Sequence, residues 1–540
     1  MIKVIRNLLI SGLIIIVLVN LLLKDSDQDG SDRIRNSIGA GMPEKALAEY
    51  PKLLQADPYN LDLHYNYISL YLEVSSQNKK KNGLEDQKLS EEYQTFIINP
   101  DPQLRDVGTY CLGLIQSIRQ EYQTAMNFFM LVANSNLKYL NNSIGFIFLQ
   151  WKEYQTAERF FLKEIDNRGN LRGAYVNLSQ TYFISENYPA LKKLSQNETA
   201  YDNYSFFLKR FLAIHELNFI KYYQLLFAPI WNNLNAAGTL AAIFIALVWF
   251  FYLRKLDFFE PEKFRYLLFC LLLGMFFSLL CYPLYDFYHY YLNFQLTGHW
   301  FNDLMYCIFG IGFIEELIKI IPLFLMIRFT RELNESIDYL IYASISALGF
   351  ATTENLLYFD ELSLSIVHGR ALTAVVLHLS LTSLIAYSLV YTRFKADKKS
   401  GWSVFLYIFL LAITFHGLYD YFILGQGIIE KLSVLSIMIL LFLVQVYSKI
   451  LTNSLNQSAF FDEIKLLHFK SLTFYLMYTF SGIILLEYVL ISFSFGASYA
   501  NSHLSYTGIT SYLIIVYLTV ALGKFRIEKG RWKKVLSYGM

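Results

Sequence analysis

The chain has two textures. From about residue 30 to 225 apolar side chains recur among polar ones in a helical manner, and after residue 230 long apolar runs are broken by short charged loops. Nine of those runs are long enough to cross a bilayer: 235–253, 265–285, 303–329, 336–359, 371–394, 402–424, 430–450, 471–495 and 508–525. A further run, 7–23, follows Lys3 and Arg6 and precedes the acidic "DSDQDGSD" with no small-residue cleavage site, the pattern of a signal anchor rather than a removed signal peptide. The expected fold class is all-α: a polytopic membrane protein of about ten transmembrane helices, with a polar helical domain inserted after the first.

Within the polar region a pentapeptide recurs, "EYQTA" at 121 and 153 and "ENYPA" at 186. Those offsets lie close to the tetratricopeptide period of about 34 residues. The Ala-to-aromatic spacing of that repeat returns in Ala125/Phe129, Ala157/Phe161 and an earlier Ala46/Tyr50, with Pro58 where the repeat favours proline. Residues 30–225 are therefore expected to form a tetratricopeptide-like array, whose concave face would take a protein or peptide partner.

Composition narrows the function classes. With 55% hydrophobic and 17% aromatic residues the chain suits a lipid bilayer, and a net charge of +2 with a single short basic tail, "KFRIEKGRWKK", argues against a nucleic-acid partner. Cys111, Cys270, Cys281 and Cys307 form no CxxC pair, so neither a zinc cluster nor a disulfide framework is indicated. The Lys/Arg positions order the spans: Arg254, Lys255, Lys263, Arg265, Arg328, Arg331, Arg393, Lys395, Lys398, Lys399, Lys449, Lys465, Lys470 and the tail share a side with Lys3 and Arg6. That side is expected to be the cytoplasm, with both termini inside and residues 30–225 outside a cytoplasmic (inner) membrane.

Against this topology the ionisable residues inside the spans converge in depth. Glu315, Glu316 and Lys319 lie near the middle of "FIEELIKIIPLFLM", Glu354 about one turn and His378 about two turns in from the outer ends of the next spans. His416 lies at a similar depth, and Asp420 shares its helix face. A Glu/Lys pair or a single histidine has a structural explanation as an ion pair or a packing hydrogen bond. Four consecutive spans that each contribute such a group imply a shared polar cavity, because leaving them unpaired in lipid would cost on the order of 10 kcal/mol. In such a cavity a carboxylate can deprotonate water and imidazoles can hold an oxyanion, and the same groups also make a zinc-ligand set. Either variant hydrolyses an amide, and no Ser or Cys nucleophile motif competes.

"EELIK" (315–319), "GFATTENLLYF" (349–359), "RALTAVVLH" (370–378) and "HGLYD" (416–420), in this order on successive spans, resemble the PrsW family of intramembrane proteases. The resemblance covers roughly 235–425. Together with the readings above it gives an expected division into an anchor (1–29), the repeat domain (30–225), a protease core (230–425) and additional C-terminal helices with a basic tail (426–540), of which only the core belongs to the resemblance. It implies Glu315, Glu316, His378 and His416 as catalytic residues, with Lys319, Glu354, Asn355, Arg370 and Asp420 in support. It also leaves open a divalent metal such as zinc on Glu354, His378, His416 and Asp420, since this chain has Asp420 where the family often has Asn. The implied substrate is a membrane-anchored protein such as an anti-sigma-factor-like regulator, cut near its extracytoplasmic side.

Two other classes compete. A non-catalytic receptor or scaffold would use the cavity and the repeats for binding, and a transporter would place the buried charges on a translocation path, although the spans show no inverted repeat. His289, His299 and His368 read as solvated histidines of the outer loops, the latter two near the cavity mouth. Glu487 reads as a structural hydrogen-bonding group without a nameable partner.

Overall fold

The computed structural model describes residues 2–23, 29–77, 84–135, 137–232, 235–361, 364–394, 401–425, 429–466 and 470–535. The first half of the acidic "DSDQDGSD" stretch and the basic loop with Lys395, Lys398 and Lys399 lie outside them. Every regular element among the described residues is helical. The chain divides into two compact units, Ser26–Asn232 and a second made of Met1–Asp25 with Asn233–Met540.

The second unit contains α1 (Ile2–Leu22), α2 (Ala236–Leu256), α3 (Phe264–Ser278) and α4 (Cys281–Leu292). The short helix Trp300–Met305 runs through a π-helical turn, Tyr306–Gly312, into α5 (Phe313–Phe329). Then come α6 (Ser336–Glu361), a second π turn at Arg370–Ala374 that opens α7 (Val375–Phe394), and α8 (Gly401–Leu424). The unit closes with α9 (Val434–Asn456), α10 (Lys470–Phe495) and α11 (Ala497–Gly523).

Among the described residues seven helices are long and apolar enough to span a membrane: α2, α3 with α4, α7 with its lead-in turns, and α8 to α11. The other three of the ten expected spans depart for physical reasons. In α1 the described apolar stretch, Ile10–Leu22, falls short of a full span. The α5 helix carries Glu315, Glu316 and Lys319, and α6 is diluted by serine and threonine. Both of these helices turn polar residues inward. Glu315, Glu316 and Lys319 of α5 are buried, and α6 buries Ser344, Ser346, Thr352 and Thr353 in the bundle interior. Polar residues are tolerated there because they pair: Ser346 donates to the Lys319 carbonyl at 2.6 Å, and Ser344 meets the hydroxyls of Ser383 and Tyr447 at 2.7 and 2.8 Å.

The first unit is a series of helical hairpins. Pro102–Ile118 packs on Tyr122–Leu131, Leu140–Gln150 on Tyr154–Asp166, and Leu171–Ile184 on Tyr188–Leu194. Each recurring pentapeptide marks the start of a second helix. Left-handed residues precede those starts at Gln120, Lys152 and Glu186, and another falls at Leu217. Ala46, Ala125 and Ala157 are wholly buried, as are Phe129 and Phe161. Facing the two phenylalanines are Gly113 and Gly145, where an added Cβ would lie 2.5 and 2.7 Å from the ring edge. Buried Glu164 accepts from the backbone N–H groups of Tyr139, Asn142 and Asn170, so one carboxylate serves the starts of two helices.

Candidate active site

The site begins with the turn before α5. The π turn at Tyr306–Gly312 packs on α8, where a Cβ on Gly417 would fall 2.5 Å from Ile308 Cα and one on Gly312 would fall 2.7 Å from the Ile413 carbonyl. These two glycines let the backbones leading into α5 and along α8 approach directly beside the ionisable residues. The second π turn lies just ahead of His378 on α7. Two of the four helices that deliver site residues, α5 and α7, therefore carry an i→i+5 turn within two turns of them, a common device for re-aiming side chains at functional sites.

Glu315, Glu316, Lys319, His378 and His416 are all buried. The Lys319 ammonium sits among them, 2.8 Å from Glu315 Oε2, 3.1 Å from Glu316 Oε1 and 2.6 Å from His378 Nδ1, and 4.3 Å above the centre of the Phe350 ring. Glu316 is fully enclosed: Oε1 also meets His416 Nδ1 at 2.8 Å and Oε2 accepts from Thr382 Oγ1 at 2.9 Å. Glu315 takes the Tyr285 hydroxyl on Oε1 at 2.8 Å and turns Oε2 toward the centre. Glu354 accepts from Arg370 Nη2 at 2.8 Å and meets His378 Nε2 at 3.0 Å, while Arg370 Nε donates to Asn355 Oδ1 at 2.8 Å. Asp420 Oδ2 is 3.4 Å from His416 Nε2.

These partners assign the two rings. The ammonium donates to His378 Nδ1, so that ring carries its proton on Nε2, toward Glu354. His416 places Nδ1 on Glu316, which turns Nε2 toward Glu315 Oε2 at 3.5 Å and Asp420 at 3.4 Å. A nitrogen lone pair facing two carboxylates needs a proton or a cation between them. Glu315, His378 and His416 place one ligand atom each within 4.8 Å of one another. Each imidazole is backed by a carboxylate on its other nitrogen, the usual outer support of a metal-bound histidine. The donor set thus fits a borderline divalent ion such as zinc, which would displace the Lys319 ammonium from His378 Nδ1 and Glu315 Oε2.

The structure brings together all nine residues singled out from the sequence. The set compatible with one ion contains Glu315, whereas Glu354 stands behind His378 and is held by Arg370. Two partners were missed. Thr382 lies four residues after His378, on the same face, which was a usable signal. Tyr285 had none, since it simply closes the apolar run 265–285.

A buried cluster of carboxylates, imidazoles and an ammonium, enclosed by apolar helices, has the composition that an intramembrane hydrolytic centre would need. Comparison with known proteins is specific on this point: residues 262–447 match the model of the PrsW family intramembrane metalloprotease. The chain is 27% identical over 190 residues to Protease PrsW of Clostridioides difficile (strain 630), covering 34% of this chain and 78% of that protein. It is 28% identical over 184 residues to Protease PrsW of Geobacillus kaustophilus (strain HTA426), covering 34% and 76%. For Protease PrsW of Bacillus subtilis (strain 168) the figures are 29% over 177 residues, 33% and 77%. No solved structure gives a significant match. These likenesses support a peptidase, in a multi-pass membrane protein.

Proposed function

We propose that the second unit is an intramembrane endopeptidase that cuts a membrane-anchored protein near its extracytoplasmic end. The observation that carries this reading is the meeting of Glu315, His378 and His416 inside the bundle, with one ligand atom of each within 4.8 Å of the others. Of the two paired glutamates, Glu315 is the better base. Its side chain retains 6% exposure, while Glu316 has none and spends both oxygens on Thr382, His416 and Lys319. Glu315 would take a proton from water as the water oxygen bonds to the scissile carbonyl carbon, and would return it to the amide nitrogen as the C–N bond breaks. Lys319 and the imidazoles would face the oxyanion, and Glu316 and Glu354 would hold the two rings in register. A divalent metal, if bound, would sit on Glu315, His378 and His416, taking Glu315 out of the role of base, and would supply Lewis-acid polarisation of the carbonyl and a more acidic water in its place.

The positive residues support an orientation with both termini in the cytoplasm and the first unit outside a cytoplasmic membrane. The hairpins, the glycine–phenylalanine interlock and the turns repeated about every 32 residues support a tetratricopeptide-like reading of that unit, as a module that recruits the substrate or a regulatory protein. Deleting residues 30–225 should reduce or deregulate cleavage in cells while leaving the membrane unit folded. Unchanged cleavage under every envelope stress would exclude the recruiting role.

The decisive experiment compares new protein N-termini in host membranes carrying wild type or Glu315→Gln at matched expression. Termini dependent on wild type, near the outer end of a single-span protein, are the expected result. Identical termini in both strains would overturn the protease reading and favour a binding role for the same cavity.

A further inference from the structure

Outside the candidate active site a second group of ligand-type side chains meets. His368, from the turn Val367–Gly369, places Nδ1 2.9 and 3.1 Å from the two carboxylate oxygens of Glu487 on α10. His503, on α11, places Nε2 3.2 Å from Glu487 Oε1. The imidazole centres are 5.6 Å apart with planes inclined by 59°, so the rings approach the carboxylate from different directions. One ligand atom from each of the three residues lies within 4.8 Å of the others. Glu487 and His503 are buried, and the His368 side chain is 19% exposed.

We infer that His368, Glu487 and His503 form a second divalent-metal site, of the zinc class, that clasps the α10–α11 hairpin to the turn leading into α7. Two imidazoles and one carboxylate are the donor chemistry of borderline divalent ions. Such an ion holds its donors at about 2.0 to 2.2 Å, which separates neighbouring donors by about 3.3 Å in a tetrahedral shell. The nitrogen-to-oxygen separations, 2.9 and 3.2 Å, are already close to that size, so an ion would take the place of the protons between nitrogen and carboxylate. Partly exposed His368 supplies the entry path that a buried site needs.

The location gives the clasp a role. Glu487 and His503 lie beyond residues 262–447, the segment that matches the protease family, whereas His368 lies within it. His368 is also two residues from Arg370, which holds Glu354, which in turn holds His378. An ion on the clasp therefore fixes the added hairpin to the backbone that aims the Arg370–Glu354–His378 chain. The site itself does not depend on the protease reading.

The test uses the full chain in detergent, stripped by chelator and titrated with Zn²⁺ alone, in a His378→Ala background that disables the other ligand set. That parent should retain one zinc per chain and gain thermal stability on zinc addition. Adding Glu487→Gln, which keeps the shape and a hydrogen-bonding head, should weaken zinc binding by about tenfold or more and abolish the thermal gain. Adding His503→Ala should do the same, and X-ray absorption on the parent should report two imidazoles on the zinc. A folded parent that binds no zinc would overturn the inference. So would a parent whose zinc affinity is unmoved by Glu487→Gln, the variant that decides should His503→Ala fail to fold.

Discussion

Lys319 shows at the scale of one side chain how a charge survives inside an apolar bundle. Its ammonium has no exposed surface, and it touches Glu315, Glu316, His378 and the face of Phe350. Removing one partner of a buried ion pair leaves the others uncompensated, at a cost of about 3–5 kcal/mol. Lys319→Met, nearly isosteric along its stem, is therefore expected to lower the thermal unfolding midpoint markedly, and Glu315→Gln introduced with it should restore some of the loss. If Lys319→Met melts with wild type, the ammonium is not the counter-ion of this cluster. The charged residues were legible in the sequence because each stands out against lipid-compatible neighbours. Their division of labour was not, because it depends on which nitrogen faces which oxygen across helices distant in sequence. The same distance hid the partners of Glu487: His368 is 119 residues away and His503 is 16.

At the scale of elements, the site depends on how closely α8 approaches the chain that enters α5. Gly312 and Gly417 make that contact, and at Gly417 an added Cβ would meet the backbone of Ile308 rather than a side chain able to swing aside. Gly417→Val should therefore push α8 outward and carry His416 away from Glu316, now 2.8 Å distant. Overpacking of this kind costs about 1–3 kcal/mol. The expected outcome is loss of substrate cleavage together with a moderate fall in the unfolding midpoint. Full cleavage in the valine variant would show that the approach is not required. Helix positions were readable from apolar runs, since the segment read as 303–329 is continuous from Trp300 to Phe329. The π turns left no trace in that pattern, because one extra residue per turn changes the direction of side chains without changing their hydrophobicity. In the first unit the recurring pentapeptide was legible because it starts a helix each time.

For the whole membrane unit, the end of the bundle away from the active site carries its own charge problem. Asp257, between α2 and α3, and Glu262 are buried near Asp338 at the start of α6, and Tyr342 donates to Glu262 at 2.7 Å. Burial, reinforced by neighbouring carboxylates, pushes the Asp257 carboxyl up to about 8 and that of Glu262 up to about 7. The folded protein therefore keeps protons there that the unfolded chain releases near about pH 4. Because the folded state binds more protons across this interval, stability is greatest at its acid end and declines as pH rises from about 4 toward 8, levelling off above the folded values. The sign is opposite to that of a salt-bridged carboxylate. The unfolding midpoint of the full chain in detergent should accordingly fall between about pH 6 and about pH 8.5. Asp257→Asn, neutral at every pH, should lessen that fall and raise the midpoint at the alkaline end. Parallel pH profiles for wild type and Asp257→Asn would mean that this carboxyl is already ionised in the folded protein. The strain at this end of the bundle would then have to rest on Glu262 and its neighbours.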